Sequence, residues 1–228
     1  MNASALERAV TYAILVLAAI AALYPLGLIL YTAVQPDRIG AGAGFDLGNF
    51  ADAWQQGRFG TYLRTSVIVS VSVVVAATTL SCLAGYAFGT MRFRGSSVLF
   101  YLLLLGLMVP SEAIVIPLYY DLRDLNLDNS YVSLIFPQIA QSLAFGTFWM
   151  RAYFRSTSRE LVEAARIDGA GHLRTFWSVL LPMGRPAITT MMVLFFMWTW
   201  NEFLIPLVMS PNGTFRTAPL ALAIFKGQ

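Results

Sequence analysis

The sequence SRELVEAARIDGAGHLRTFWSVLLP, residues 158–182, is the longest polar and charged interval between two apolar blocks of this chain. Both flanking blocks are long and apolar, as membrane-spanning segments are. The interval itself is rich in titratable side chains, namely Arg159, Glu160, Glu163, Arg166, Asp168, His172 and Arg174. We therefore predict that residues 158–182 face water or another protein.

The order of residues within this interval predicts two short helices joined by an elbow. Thr157 followed by Glu160 fits a capping box at a helix start. Gly169 stands where the helix would stop, because glycine tolerates the left-handed closing conformation. A second helix is then expected from about Leu173 until Pro182, since proline cannot continue a helix. Small residues after the glycine would let a partner approach the backbone closely.

The spacing of this interval resembles a known motif. Glu163-Ala164-Ala165, three residues, Gly169, nine residues and then Val179-x-Leu181-Pro182 is similar to the EAA loop of ABC importer permeases. The one departure is valine in place of isoleucine at 179. The stretches MVPSEAIVIPLY, GTFWMRAYF and WNEFLIPLV also resemble the carbohydrate-uptake, MalG-like branch of that family. The resemblance extends from about Phe59 to the end of the chain.

This resemblance implies an all-α, polytopic membrane protein with the type I ABC importer transmembrane fold. It also implies that the 158–182 loop docks in a groove of a cytosolic ATPase subunit. Glu163 would be the charged anchor, Ala164 and Ala165 the close-packing face, and Gly169 the elbow. The implied ATPase-coupling residues are Glu163, Ala164, Ala165, Asp168, Gly169 and Pro182. The implied partners are a second homologous permease, a dimer of ABC ATPase subunits and an extracytoplasmic solute-binding protein.

The composition points to a membrane without any family. The chain of 228 residues is 57% hydrophobic and 12% charged, with a mean hydropathy of +0.66, whereas a soluble domain has about 25% charged residues. The pI near 9.2 does not indicate nucleic acid, because the arginines stand beside apolar runs, where positive charge sets orientation in lipid. We expect membrane lipid, and no nucleic acid, around this chain.

Several kinds of chemistry are missing from the sequence. Lys226 is the only lysine, and there is no G-x-x-x-x-G-K-[ST] with which to hold ATP phosphates. Any ATP would therefore be used by a separate ATPase subunit, and we expect no cofactor on this chain. His172, the only histidine, has no cysteine or carboxylate cluster at metal-ligand spacing, so we interpret it as a polar loop residue. No catalytic constellation indicates an enzyme.

Five apolar segments predict five membrane spans, at residues 9–36, 65–91, 95–120, 129–150 and 186–209. Residues 37–64 are expected to form an outer loop that ends in a short interfacial helix with Trp54, Phe59 and Tyr62. A cleaved signal peptide is the competing interpretation of 9–36, but its apolar core would be about 7–15 residues. We expect residues 1–58 to be an anchor helix with an extracytoplasmic loop, and 59–228 to be the transmembrane domain.

The resembling permeases have six spans, so we expect the sixth to be missing and the 59–228 domain to be incomplete at its C-terminus. Residues 210–228 are interpreted as a polar outer loop. The positive-inside rule places the arginine-richer side in the cytoplasm. That side carries Arg8, Arg92, Arg94, Arg151, Arg155, Arg159, Arg166, Arg174 and Arg185, and the other side carries Arg38, Arg58, Arg64, Arg123, Arg216 and Lys226. The N-terminus and residues 151–185 are then cytoplasmic in a bacterial-type inner membrane.

Two acidic residues lie inside apolar segments, where a charge is costly unless it is paired or near water. Glu112 either lines a polar pathway or lies at the outer interface, and the sequence leaves these alternatives open. Asn201 and Glu202, beside Trp198 and Trp200, favour a solute pathway, although such aromatic groups also form interfacial belts. The candidate pathway residues are Trp198, Asn201, Glu202 and Glu112.

The sequence thus predicts a permease subunit of an ATP-driven importer for a sugar or sugar-like solute. The alternative is a secondary transporter or channel that works alone. The 158–182 loop distinguishes the two, because a carrier that works alone needs no elbow for an ATPase.

Overall fold

The computed structural model describes residues 4–36 and 44–225, except for the side chains of Arg159 and Arg166. All regular elements in these ranges are helices. The chain divides into two compact units, residues 1–58 and 59–228. Arg38 and Lys226, which entered the orientation argument, lie outside the described residues.

The first unit contains α1 (Ala5–Ala33) and α2 (Gly48–Gln56). Ser4 and Glu7 form a capping box, in which the Ser4 hydroxyl accepts the Glu7 amide at 3.2 Å and the Glu7 carboxylate accepts the Ser4 amide at 2.7 Å. No residue of α1 is buried, as expected for a helix whose apolar surface faces lipid. With 29 residues it is about 43 Å long, which is enough to cross a bilayer.

The predicted interfacial helix corresponds to α2, although its residues were assigned wrongly in part. Trp54 lies in α2, but Phe59 and Tyr62 lie in the next helix of the chain. The break between them falls at Arg58, whose φ is +48°. The Asn49 side chain joins α2 to the end of α1, because its amide donates to the carbonyls of Ala33 and Gln35 at 3.1 and 2.8 Å.

The second unit is a bundle around the longest helix, α3. Its elements are α3 (Phe59–Thr90), α4 (Ser96–Leu105), α5 (Ser111–Asp124), α6 (Tyr131–Ser156), α7 (Arg159–Ile167), α8 (His172–Thr175), a π-helical turn (Phe176–Leu180), α9 (Leu181–Met183), α10 (Arg185–Asn201), α11 (Leu204–Met209) and α12 (Ala218–Phe225).

Small residues bring α3 and α6 into close contact along their length. A Cβ added at Gly85 would lie 2.5 Å from the Cβ of Met150, and one added at Gly146 would overlap the Ser81 hydroxyl. Such close approach of backbones is how helices associate where lipid removes the hydrophobic driving force. The buried cores around this pair include Val69, Val73, Ala77, Leu134 and Met150 from the pair itself and Phe195 from α10.

The third and fifth predicted spans are not continuous helices. Residues 106–110 separate α4 from α5, because Pro110 has no N–H and disfavours helical conformation in the residue before it. In the fifth segment α10 ends at Asn201 and α11 begins at Leu204. By length and composition α1 and α3 each suffice to cross a membrane, and the pair 172–183 and 185–201, bent by 76°, can form a third, broken span.

The interpretation of residues 210–228 as a polar loop is wrong for its second half. Ala218–Phe225 is uninterruptedly apolar and forms α12, with Pro219 in the first turn, where a missing amide proton costs least. The backbone amide of Ala218 donates to the hydroxyl of Ser66 on α3 at 2.8 Å. The rings of Phe59 and Phe225 meet edge to face with centroids 5.9 Å apart. This helix therefore packs on the beginning of α3.

Candidate functional site

The first helix of the 158–182 interval is α7, and its cap differs from the predicted one. The hydroxyl of Ser158 accepts the backbone amide of Glu160 at 3.2 Å. The hydroxyl of Thr157 instead donates back to the Tyr153 carbonyl at 3.2 Å, so the predicted capping box of Thr157 and Glu160 is wrong. The cause is that α6 extends to Ser156, which leaves Thr157 engaged with the helix before it.

The predicted elbow lies at Gly169, directly after α7. Its φ is +79°, a left-handed conformation that glycine adopts at little cost. The Ala170 amide donates to the Ala165 carbonyl at 2.9 Å, which is the closing bond of a Schellman-type helix end. A Cβ at Gly169 would meet nothing within 4 Å, so the glycine is needed for backbone conformation and its outer face is open.

The second helix runs from His172 to Met183 and does not end at Pro182, contrary to the prediction. It passes through the π-helical turn of Phe176–Leu180, in which the Leu181 amide reaches the Phe176 carbonyl. Pro182 then occupies the start of a new α-turn, where a proline leaves no bond unmade. The helix axis bends by 76° after Met183. We call residues 158–183 the coupling segment, after the role that the sequence resemblance predicts for them.

The coupling segment leaves several predicted residues uncovered. Glu163, Ala164, Asp168, Gly169 and Pro182 are all exposed. Ala165 is only 8% exposed, because consecutive helical residues point about 100° apart and Ala165 faces the chain's own interior. The two alanines therefore do not form one contact face for a partner, and only Ala164 is available. Ile167, 86% exposed, adds an apolar side chain to the uncovered surface.

Three aromatic side chains hydrogen-bond the α3–α6 pair to backbone carbonyls of the coupling segment and α10. The Tyr86 hydroxyl on α3 donates to His172 at 3.2 Å, and the Tyr153 hydroxyl on α6 donates to Leu180 at 3.4 Å. The Trp149 indole donates to the carbonyl of Ala187 at 3.0 Å. The segment is thus fixed to the bundle on its inner side.

The inner side also carries an aromatic cluster of Tyr86, Phe154 and Phe176. The centroid of the Phe176 ring is 5.0 Å from that of Tyr86 and 6.1 Å from that of Phe154, and Tyr86 and Phe154 are 5.7 Å apart. Phe176 is 2% exposed. The sequence reasoning missed these residues, because Tyr86 and His172 are 86 positions apart.

The carboxylate of the predicted pathway residue Glu202 is hydrogen-bonded to backbone amides of the chain itself. Its carboxylate oxygen Oε1 accepts the amides of Leu204 and Ile205 at 2.9 and 3.0 Å, as an N-cap side chain does. Asn201 is likewise turned to its own helix, because its side-chain amide donates to the Met197 carbonyl at 2.8 Å. The side chains of Asn201 and Glu202 thus form hydrogen bonds with backbone groups on either side of the break between α10 and α11.

The other two pathway candidates lie apart from this break. Trp198 is 46% exposed and meets the rings of Phe145 and Phe195 at centroid distances of 5.0 and 6.0 Å. Glu112 is exposed in the first turn of α5, where the helix dipole favours a negative charge. A mostly apolar groove of about 460 Å³ lies among α4, α5 and α6. None of the four candidates lines that groove.

Metal chemistry finds no support in the part of the chain that the structure describes. No three histidine, cysteine or acidic side chains there converge in a way that could hold an ion. The distance between the Nδ1 atom of His172 and the hydroxyl oxygen of Tyr86 is 3.5 Å.

Within the described residues, the second unit is a helical bundle with an exposed segment that turns at Gly169. Residues 77–226 match the family model described as "Binding-protein-dependent transport system inner membrane component", and the chain therefore belongs to this family. A bacterial ABC transporter that imports the acidic polysaccharide alginate has the same fold, with a TM-score of 0.74 and 24% identity over 99% of this chain and 82% of that one. The predicted all-α fold is confirmed.

Several permeases are more similar to this chain in sequence than the alginate transporter is. The diacetylchitobiose uptake system permease NgcG of Streptomyces coelicolor is 35% identical over 72% of this chain and 54% of its own. The probable ABC transporter permease YurM of Bacillus subtilis is 35% identical over 78% and 59%, respectively. The sn-glycerol-3-phosphate permease UgpE of Yersinia pestis is 34% identical over 75% and 62%. The chain thus spans 54–62% of the length of these relatives.

Proposed function

We propose that this chain is a permease subunit of an ATP-driven ABC importer that moves a sugar or sugar-like solute across a bacterial-type cytoplasmic membrane. The names of two relatives specify a disaccharide derivative and a glycerol phosphate, both small polyhydroxylated solutes. The family description places its members in the inner membrane and makes them dependent on a binding protein. A solute-binding protein and a second, homologous permease are the partners we propose on these grounds.

The coupling segment is the observation that carries this proposal. Its outer face presents Glu163, which has no ion-pair partner within the described residues, beside the exposed Ala164 and Ile167. An exposed carboxylate can accept charge-assisted hydrogen bonds from a partner, and the small side chain of Ala164 beside it lets that partner approach the helix closely. We propose that this partner is a dimer of ATPase subunits, which bind and hydrolyse ATP. This chain has no P-loop of its own and is a transport subunit rather than an enzyme.

The inner face of the segment suggests how movement would pass into the membrane. When the ATPase subunits close on ATP, a docked coupling segment is carried with them. The buried Phe176 and the hydrogen bonds from Tyr86 and Tyr153 would transmit that displacement to α3 and α6 as a rigid body. The result is a two-state transition between inward-open and outward-open forms, biased by ATP at a distant site.

For the solute pathway, Trp198 is the first residue that we propose to contact the solute, through the aromatic face of its indole. A half-exposed indole can stack on the apolar face of a sugar ring, and Trp198 is held in place by Phe145 and Phe195. Asn201 and Glu202 lie close to it in sequence, but their described hydrogen bonds are internal. Glu112 remains a pathway candidate on its exposure alone.

Charge reversal at the anchor tests the coupling assignment. Glu163→Lys is expected to leave the chain in the membrane, to weaken co-purification of the ATPase subunits and to abolish uptake. Glu160→Lys is the matched control, because Glu160 is exposed on the same helix but outside the motif. Normal uptake by the Glu163 variant would refute docking through this residue. Uptake that continues without any ATPase subunit would favour the carrier that works alone.

The proposed orientation, with a cytoplasmic N-terminus, is tested by cysteine labelling in a Cys82→Ser background. A membrane-impermeant thiol reagent added to intact cells should modify Asn126→Cys and leave Leu173→Cys unmodified until the membrane is opened. Both positions are exposed in the structure, so accessibility within the protein does not limit the reaction. Modification of Leu173→Cys in intact cells would reverse the assignment.

A further inference from the structure

A polar cavity of about 480 Å³ lies where α3, α4, α6 and α7 meet. Three arginines line it, Arg92 from the turn after α3 and Arg151 and Arg155 from the end of α6. Among the described lining residues, the only carboxylate is that of Glu163. No ion pair within 4 Å joins these four side chains, so the guanidinium charges outnumber the single carboxylate and are not neutralised within the described residues.

Arg151 is held so that it faces this cavity in a defined way. Its Nε donates to the Phe88 carbonyl at 3.3 Å, and its guanidinium carbon lies 3.8 Å from the centroid of the Phe100 ring. A guanidinium stacked on an aromatic face and fixed by one bond keeps its terminal N–H groups in a rigid fork. That fork is the arrangement that recognises phosphate and carboxylate.

The positive-inside rule alone explains arginines at this end of the helices. It does not explain why three of them, from two separate segments, converge on one cavity while Arg94, in the same turn as Arg92, is not part of its lining. Convergence of like charges is unfavourable unless an anion compensates for it. The cavity therefore offers three positive charges to an anion.

The surface beside the cavity decides what kind of anion fits. Helix α4 begins with Ser96 and Ser97, of which Ser97 lines the cavity, and continues with leucine, valine and aromatic side chains. Most of these point away from the rest of the chain, as exposed residues Val98, Leu99, Tyr101, Leu102 and Leu105 show. A ligand with a negative head and an apolar tail would thus meet a basic cavity and an apolar strip that join at Ser97.

We infer that this cavity binds the phosphate headgroup of an anionic membrane phospholipid, with its acyl chains along α4. The phosphate would lie between Arg92, Arg151 and Arg155. Glu163 borders the same cavity from the coupling segment, so a bound headgroup would place a negative charge beside the proposed ATPase anchor. The binding itself does not depend on the proposed transport function. Only the consequence for coupling does.

Lipid binding to the purified full-length chain, measured by native mass spectrometry from detergent micelles, tests this inference. Phosphatidylglycerol should bind at least about tenfold more tightly than zwitterionic phosphatidylcholine. The double variant Arg92→Gln with Arg155→Gln should lose about thirtyfold in phosphatidylglycerol affinity, as expected when two surface arginines near lipid headgroups are removed. Both side chains are exposed, so an unchanged melting temperature is expected and confirms folding.

Arg94→Gln is the matched control, because it removes the same charge from the same turn but not from the cavity, and it should keep wild-type affinity. Equal binding of the two lipids, or equal losses in Arg94→Gln and the double variant, would overturn the site. Full competition by inorganic phosphate would show that the anion is free phosphate and would overturn the lipid assignment. Since no ATPase or solute enters this measurement, its result is independent of whether the chain proves to be an importer subunit.

Discussion

The coupling segment and the break between α10 and α11 differ in how they use their acidic side chains. Both follow long helices, and both carry a glutamate that the sequence marks as functional. Glu163 has no described hydrogen bond or ion pair within the chain and is exposed, whereas Glu202 accepts two backbone amides. The first carboxylate is available to a partner, and the second already serves as a helix cap. A functional role is therefore better supported where polar groups lack internal partners.

The two regions also differ in their glycine and aromatic supports. The coupling segment turns at Gly169 with open space around it and is held from inside by Phe176. The break at residues 202–203 has no glycine and is held by the side-chain hydrogen bonds of Asn201 and Glu202. The coupling segment thus has an uncovered outer face and a packed aromatic inner face, whereas the break is a corner closed by its own side chains.

The largest expected effect comes from removing the ring of Phe176, the buried side chain on the inner face of the coupling segment. Phe176→Ala deletes a fully buried ring from the cluster with Tyr86 and Phe154, which costs about 3–5 kcal/mol of stability. Uptake should fall with it, because the segment would no longer move as one body with α3 and α6. Thermal unfolding in detergent and solute uptake are the measurements.

Trp177→Ala provides the matched control for Phe176, since Trp177 is adjacent and 55% exposed. We expect a much smaller loss of stability for this variant in detergent. Similar losses for the two variants would show that the cluster does not anchor the segment.

A smaller effect is expected from the elbow. Gly169→Ala forces a side chain into a left-handed backbone conformation, at a cost of about 1–2 kcal/mol. Gly171→Ala changes a neighbouring glycine that also has open space around it but whose φ is −70°, so it should be nearly neutral. Co-purification of the ATPase subunits should fall for the first variant only. Equal behaviour would mean that the elbow conformation is not required for docking.

The parts of this molecule that the sequence predicted correctly depend on local signals. Apolar runs marked α1, α3 and α6, and a glycine after α7 marked the elbow. The cap formed by Glu202 is also a local feature, because its carboxylate accepts amides only two and three residues later in the chain.

Two of the predictions that failed depend on contacts between distant segments. Pro182 does not end its helix because a π-helical turn precedes it, and that turn buries Phe176 against Tyr86 and Phe154 from two other helices. Likewise α12 is stabilised by Ser66, 152 positions away. No periodicity within one segment contains such information, so the aromatic inner face of the coupling segment could not be predicted from it.

The role of Glu202 is tested by two substitutions that separate its charge from its shape. Glu202→Ala leaves the amides of Leu204 and Ile205 without an acceptor and should cost about 1 kcal/mol, as other lost N-caps do. Glu202→Gln keeps a side-chain oxygen at the same place and should retain most of that stability. If the residue is only a cap, uptake by the glutamine variant stays near wild type. Loss of uptake at unchanged stability would return Glu202 to the solute pathway.

The smallest expected effect concerns the hydrogen bond that joins α3 to the coupling segment. Tyr86→Phe keeps the ring in its cluster and removes only the hydroxyl that donates to the His172 carbonyl. At 3.2 Å this bond is longer than the usual O–H···O distance of about 2.7–2.8 Å, so its loss should cost about 0.5 kcal/mol. Tyr120→Phe is the control, because Tyr120 is exposed on α5. If the bond transmits movement, the Tyr86 variant should show more ATP hydrolysed per solute imported, while stability hardly changes. An unchanged ratio of ATP hydrolysed to solute imported would mean that aromatic packing alone joins the coupling segment to α3.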